Sequence, residues 1–197
     1  LWYALEEVSK KPVTAIMDTW TKQPGYPLLT LTHEHESTFR ITQSRFLSTT
    51  QTLTDEESRQ VWRIPVPLGI TEKEGREQQS FLMQEREAVS MLIHEHGWFK
   101  LNAHQVAFLR INYTHELWEK LFDAVRGEEL GTIDRFGVAS DLVALAKQGT
   151  LPTTTLLSGL GAYRHERHFI VWMEVAGILD TLNELLAFEP CVERFHA

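Results

Sequence analysis

The chain has 197 residues, 43% hydrophobic and 23% charged, the balance of a protein that buries a core, and its length fits one large domain or two small ones. A net charge of −8, with nine His counted neutral, excludes a nucleic-acid surface, which needs clustered Lys and Arg, and no apolar run approaches the ~20 residues that span a bilayer. Cys191 is the only cysteine, which excludes an internal disulfide and leads us to expect a reducing, cytoplasmic setting.

Leu1, Leu5 and Val8 lie at i, i+4 and i+7, one stripe of a helix. Glu6 and Glu7 stand where a signal peptide would carry basic residues. A chain that opens at Leu1 without Met reads as a piece of something longer. Ser9-Lys10-Lys11 breaks the helix, and Pro12 suits the first turn of a second. Val13, Ile16, Met17 and Trp20 continue at helical spacing until Pro24-Gly25.

From residue 26 the period falls to two. Leu29, Leu31, Phe39 and Ile41 alternate with Thr, Arg and Gln, and Pro27 places the first strand's start at an edge. Gln51 to Ser58 reads as an acidic loop. Val61 to Leu68 reads as a strand that Pro65 and Pro67 confine to an edge or a bulge. Thr71 to Gln79, with Gly75, reads as a charged connection. Phe81 and Met83, then Val89, Met91 and Ile93, give two more alternating pieces. Trp98-Phe99-Lys100-Leu101 and Val106 to Tyr113 read as two short strands joined in a hairpin by the polar turn Asn102-Ala103-His104-Gln105. Six to seven short strands suffice for a small sandwich.

The period then becomes 3.6. Thr114 is an N-cap candidate, and Leu117, Trp118, Leu121, Phe122 and Val125 form an apolar face stopped at Gly127. Ala139, Leu142, Val143 and Ala146 form the next, stopped at Gly149. Pro152-Thr153 open a third, weakened by Gly159 and Gly161. A fourth carries Phe169, Trp172, Met173, Ala176 and Leu179 and runs to about Phe188. The fold class is therefore α+β in two units: an all-β sandwich followed by the start of an α-helical superhelix, with two leading helices. The units divide as 1–25, 26–113 and 114–197, and Trp62, Trp98, Trp118 and Trp172 are expected to be buried.

Several short motifs fall in one register. Leu5-Glu6-Glu7, Ile16-Met17-Asp18-Thr19-Trp20 and Gln23-Pro24-Gly25-Tyr26-Pro27 come first. Trp62 with Pro65-Val66-Pro67, Trp98 to Asn102, and Arg110-Ile111-Asn112-Tyr113 follow. Ile133-Asp134-Arg135, Asp141, Leu145-Ala146, Tyr163-Arg164-His165-Glu166 and Val171-Trp172 close the set. In this order they resemble the C-terminal region of zinc aminopeptidases of the aminopeptidase N and puromycin-sensitive aminopeptidase family. Lys10 stands where many members have Gly, and Val171 where they have Pro. The resemblance implies the end of a catalytic domain over 1–25, then a sandwich, then the first part of a helical domain. It implies a parent that releases N-terminal residues from peptides, with zinc held by H-E-x-x-H and a more distant Glu. These domains would position the helical lid over the active site.

The family's zinc motif does not occur here. His33-Glu34-His35, His94-Glu95-His96 and His165-Glu166-Arg167-His168 all miss its spacing. No catalytic, cofactor-binding or metal-ligating residue is therefore assigned, and the piece itself is expected to be inactive and to hold no cofactor. His33 with His35, and His94 with His96, would share a strand face, a pattern that can ligate Zn²⁺, but flanking Glu34, Glu36 and Glu95 favour solvated strand ends. His165 and His168 would neighbour each other on a helix start. The sequon Asn112-Tyr113-Thr114 ends a strand and is discounted as a glycosylation site. Two other readings stand beside the fragment. One is a stand-alone sandwich that binds peptide or protein, for which two orphan leading helices would be useless. The other is a metal-dependent hydrolase built on the His clusters, which metal analysis would separate. The expected partners are the parent's catalytic domain and peptide substrates, with weak self-association through 1–20, and neither nucleic acid nor membrane.

Overall fold

A computed structural model describes the backbone of residues 1–35, 38–48, 52–72, 75–92 and 97–196, and the side chains of these except 68–72, 75–79, 87–92 and 196. Helix α1 spans Trp2–Ser9 and α2 spans Val13–Thr21. Lys10 closes α1 in the left-handed conformation (φ 55°), which explains why glycine suits this position. Helix α2 is seated on the strands that follow. The Trp20 indole N–H donates to the Arg63 carbonyl (3.0 Å), and the Arg63 N–H donates to Thr19 Oγ1 (3.0 Å). Helix α1 buries nothing: its stripe points outward, with Leu1 86% and Val8 85% exposed.

The strands are β1 Pro27–His35, β2 Thr38–Arg45, β3 Ile64–Glu72, β4 Gly75–Met83, β5 Glu87–Leu92, β6 Phe99–Leu101 and β7 Arg110–Asn112. One sheet has the order β5-β2-β1-β7 and the other β4-β3-β6. β1 pairs antiparallel with β2 (Leu31 opposite Ile41) and parallel with β7 (Leu29 opposite Ile111). Alternation buries Leu29, Leu31, Phe39 and Ile41 from the first sheet, with Ile64, Val66, Phe99 and Leu101 from the second, in one core. Phe39 and Phe99 meet across it with ring centroids 6.3 Å apart. Gln43 is the polar pin of this core. Its amide donates to the Trp62 and Glu85 carbonyls, and its Oε1 accepts from the Trp62 N–H (2.8 Å).

Three expectations about strands are corrected. The segments flanking Asn102–Gln105 do not form a hairpin: β6 pairs with β3 and β7 with β1, so the chain crosses from one sheet to the other there. A crossing lets each short segment extend an existing strand, which leaves fewer unpaired backbone groups than an isolated two-strand ribbon. Within the charged connection expected at Thr71 to Gln79, residues 71–72 end β3 and 75–79 begin β4, paired from Ile64 opposite Met83 to Glu72 opposite Gly75, while 73 and 74 lie outside the described residues. The acidic loop contains a four-residue helix, α3 (Asp55–Ser58), because Thr54 and Glu57 form a reciprocal capping box. The proline-edge expectation holds for half of β3. β6 reaches only Leu68–Ile70, so Pro65 and Pro67 have β4 on one side alone.

The helical unit contains α4 His115–Arg126, α5 Thr132–Gln148, α6 Thr153–Gly161, α7 Phe169–Leu186 and the short α8 Val192–His196. Thr114 caps α4 by accepting the Leu117 N–H, and Gly149 ends α5 at φ 85°. Gly159, expected to weaken α6, is what lets it pack. A Cβ there would lie 2.7 Å from Leu142 and 2.8 Å from Phe122. Trp62, Trp98 and Trp118 are buried as expected, but Trp172 is 39% exposed. It lies on the outer side of α7, whose inward residues are Val171, Val175, Ile178 and Leu182, and its indole N–H donates to the Glu166 carbonyl (2.6 Å).

Candidate functional site

The two units meet at a seam where α4 and α5 pack against β6, β7 and the turn between them. An aromatic chain runs through it: Phe99, Tyr113, Trp118 and Phe122 follow one another at centroid distances of 6.0, 4.9 and 5.9 Å. The Tyr113 hydroxyl accepts the Leu101 N–H (3.0 Å), tying the end of β6 to the segment entering α4. Burial pushes the Tyr113 phenol well up.

Beside this apolar wall lies a buried ionic lattice. β6 carries Lys100 inward, with its side chain 3% exposed. Lys100 Nζ stands 3.0 Å from Asp134 Oδ1 and donates to the carbonyls of Leu101 and Asn102. Asp134 sits in the first turn of α5, where the helix dipole favours a carboxylate, and also accepts the His104 backbone N–H (2.8 Å). About two turns further along α5, β7 supplies Arg110. Its Nη1 donates to Ser140 Oγ (2.8 Å) and Asp141 Oδ1 (3.2 Å). Desolvation lowers the Lys100 ammonium, against the pull of Asp134 and Asp141. Desolvation also raises the Asp141 carboxyl from 3.8 to about 6, opposed by Arg110 and Lys100.

The turn between β6 and β7 is held in an unusual shape. Asn102, His104 and Gln105 all adopt left-handed conformations (φ 56°, 60° and 54°). Asn102 staples the turn shut: its Oδ1 accepts the Ala107 N–H and its Nδ2 donates to the Ala107 carbonyl, both 2.8 Å. Gln105 lies on Gly137 of α5, where a Cβ would fall 1.7 Å from its amide nitrogen. One flank of the turn is therefore locked to α5. The other presents Val106 and Phe108, 69% and 71% exposed. With Ile16, Met17, Trp20 and Pro67 they line an apolar groove of about 490 Å³.

A second lattice braces the helices. Arg135 makes a forked contact with Glu166 (Nε to Oε2 2.5 Å, Nη2 to Oε1 3.0 Å), and the Tyr163 hydroxyl donates to the Arg135 carbonyl (2.7 Å). Glu166 also accepts the N–H groups of Arg167 and His168 at the entry to α7. Although burial opposes it, these donors hold the Glu166 carboxyl below its ordinary 4.5.

Among the described residues the expected histidine pairs are not brought together as ligands. A bulge between His33 and His35 breaks the alternation that would set them on one face, both are exposed, and His33 stands edge-on to Phe39 at 5.1 Å. His94 and His96 lie outside the described residues. His165 falls in a turn and His168 is the N-cap of α7, so they do not share a helix. Among the described residues no group of three or more His, Cys, Asp or Glu gathers as metal ligands would. No helix of the described residues is long and apolar enough to cross a membrane.

Part of the motif set behind the resemblance falls at this seam and its brace: Lys100, Asn102, Arg110 and Tyr113, then Asp134, Arg135 and Asp141, then Tyr163 and Glu166. Their pairing was not legible beforehand. A single Lys inside the run Trp98-Phe99-Lys100-Leu101 was the one available signal of a buried charge that needs a partner.

Comparison with known proteins returns a model described as the ERAP1-like C-terminal domain, matching residues 98–197. The chain is 32% identical over 190 residues to an alanine/arginine aminopeptidase of Saccharomyces cerevisiae, covering 96% of this chain and 21% of that protein. It is 34% identical to aminopeptidase M1-A of Oryza sativa subsp. japonica, over 92% of this chain and 20% of the relative. It is 26% identical to the puromycin-sensitive aminopeptidase of Caenorhabditis elegans, over 95% and 20%. The chain thus spans about a fifth of the length of the curated relatives it matches.

Proposed function

This chain belongs to the ERAP1-like C-terminal domain family, and on that footing we propose that it is the non-catalytic joint of a zinc-dependent aminopeptidase. In this reading the sandwich is a rigid seat, and the seam fixes the angle at which the helical unit stands over the active site. The observation that carries it is the seam itself. Two cations of the sandwich, the buried Lys100 and the half-buried Arg110, meet two buried carboxylates of α5, Asp134 and Asp141, beside a continuous aromatic wall. Buried pairs of this kind add little net stability over apolar packing, but they penalise every other docking angle, because a displaced unit leaves charges unpaired.

The parent's peptide hydrolysis and its zinc belong to residues outside this chain, and its relatives' names support a peptidase. The catalytic domain is the proposed occupant of the groove formed by Ile16, Met17, Trp20, Val106 and Phe108. The outward stripe of α1 lies on the same N-terminal side and would be covered with it. Without that cover the chain self-associates weakly through residues 1–20. An exposed, solitary Cys191 supports a cytoplasmic setting.

The test has two arms. The purified chain should release no fluorogenic N-terminal residue and retain no stoichiometric zinc; chelator-sensitive release by this chain alone overturns the proposal. In the full-length protein, Asp134→Asn should lower kcat/KM for peptides while leaving zinc content unchanged. Unaltered turnover in that variant overturns the positioning role.

A further inference from the structure

The turn between β6 and β7 is a wall with a cavity on each side. Val106, Ala107 and Phe108 line the apolar groove of about 490 Å³ that they share with Ile16, Met17 and Trp20 of α2. The same three residues line a recess of about 320 Å³, bounded on its far side by Phe136, Gly137 and Ser140 of α5. Residues 106–108 lie outside the helices and strands, and the Phe108 ring rests on Tyr26 with centroids 4.5 Å apart.

The wall is positioned from its N-terminal end. His104 and Gln105 hold φ of 60° and 54°, a region that side chains of this size occupy only when their surroundings impose it. Two contacts with α5 impose it here. The His104 N–H donates to Asp134 Oδ1 (2.8 Å). The Gln105 side chain, whose Oε1 accepts from Asn102 Nδ2 (3.3 Å), fills a notch that exists because Gly137 has no Cβ: an added one would fall 1.7 Å from Nε2 and 2.3 Å from Cδ. Neither Gln105 nor Gly137 lines the groove.

We propose that this turn is a relay between the groove and the joint: its locked form both builds the groove's wall and fastens α5 to the sandwich, so filling the groove tightens the docking of α5. The key and the wall are adjacent in the chain, Gln105 leading directly into Val106. When Gln105 leaves the notch, the backbone at 104 and 105 relaxes out of the left-handed region, which redirects the chain and withdraws Val106 and Phe108 from the groove. A ligand that needs the wall binds the locked form alone and by linkage draws the turn toward it. In the parent that ligand is the catalytic domain, and this part of the inference rests on the occupant assigned above. Seating of the catalytic domain and docking of the helical unit then become one equilibrium.

The probe that tests the relay is anilinonaphthalene sulfonate, added to the 197-residue chain and followed by NMR at the Trp20 indole N–H, which bonds the Arg63 carbonyl beside the groove. Reading one atom of the groove separates this site from the other exposed apolar faces. Gly137→Ala, on the far side of the wall, should weaken the probe there by about fivefold or more. Combining it with Gln105→Gly should restore the affinity, because the added methyl then meets no side chain. In the unsubstituted chain, probe at about ten times its dissociation constant should raise the hydrogen-exchange protection of the His104 N–H about tenfold. That measurement decides the matter if Gly137→Ala does not fold. Unchanged affinity in Gly137→Ala, a loss that persists in the double variant, or protection that the probe leaves unaltered overturns the relay. None of these readouts uses peptide turnover, so release of N-terminal residues by this chain would sink the non-catalytic reading and leave the relay standing.

Discussion

Two tryptophans show how position, rather than residue type, sets an energy. Trp118 is fully buried, edge-on to Tyr113 and stacked on Phe122, whereas Trp172 is 39% exposed and leans on the outside of α7. Trp118→Ala should lower stability by ~3–5 kcal/mol, the cost of deleting a buried aromatic ring. Trp172→Ala should cost clearly less, because much of its surface is already in water. Urea midpoints of the two variants provide the comparison, and equal losses would show that the outer face of α7 is covered in solution. Gln43 makes a sharper case. Gln43→Leu keeps the volume but strands the Trp62 N–H inside the sandwich, and should cost about 1–3 kcal/mol. Glu166 responds to pH in the sense opposite to Asp141. Its carboxyl is held below 4.5, so its contribution is present above that value and lost as pH falls through the lowered one. In Glu166→Gln, thermal melts between pH 6 and 3 should show a shallower decline than in the unsubstituted chain.

At the scale of elements, α6 depends on a residue that lowers its intrinsic helicity. Gly159 permits the close approach to α4 and α5, where an added methyl would meet Phe122 and Leu142. Gly159→Ala gains helix propensity of about 1 kcal/mol but overpacks a filled site, a cost of about 1–3 kcal/mol. The second term should win, and a lowered melting temperature would show it. Pattern reading found the face of α4, but it failed at the turn after β6 and on α7, where the expected stripe of Phe169, Trp172, Met173, Ala176 and Leu179 is exposed and Val171, Val175, Ile178 and Leu182 are buried instead. The helical stripes of Leu117, Trp118, Leu121 and Val125 repeat over several turns and face one core. The segments Phe99–Leu101 and Arg110–Asn112 have three residues each, too few to carry a register. Which sheet each joins is decided by the free edges of β3 and β1, and those partners lie tens of residues away.

At the scale of the whole molecule, two faces leave large apolar side chains in water: the N-terminal one and the outer side of α7, where Phe169, Met173 and Leu185 are exposed. α2 is fastened to the sandwich by Trp20 and Thr19, but α1 exposes Leu1, Tyr3 and Val8. The proposed self-association through residues 1–20 should appear as concentration-dependent sedimentation of the intact chain, absent from a chain that begins at Tyr26. If both stay monomeric to high concentration with equal melting temperatures, this face neither pairs with a copy nor contributes to packing.

The division between a sandwich and a helical unit was set by the sequence alone, because periods of two and 3.6 place apolar residues on one side of each element whatever lies next to it. So were the caps at Thr114 and Gly149, which act within a single turn of chain. The seam was decided only by tertiary structure. Lys100, Arg110, Asp134 and Asp141 are four charges spread over some forty residues, and nothing local pairs them. Burial by both units at once makes each of them need the others, and it is the same burial that raises Asp141 into the range where pH can act on it.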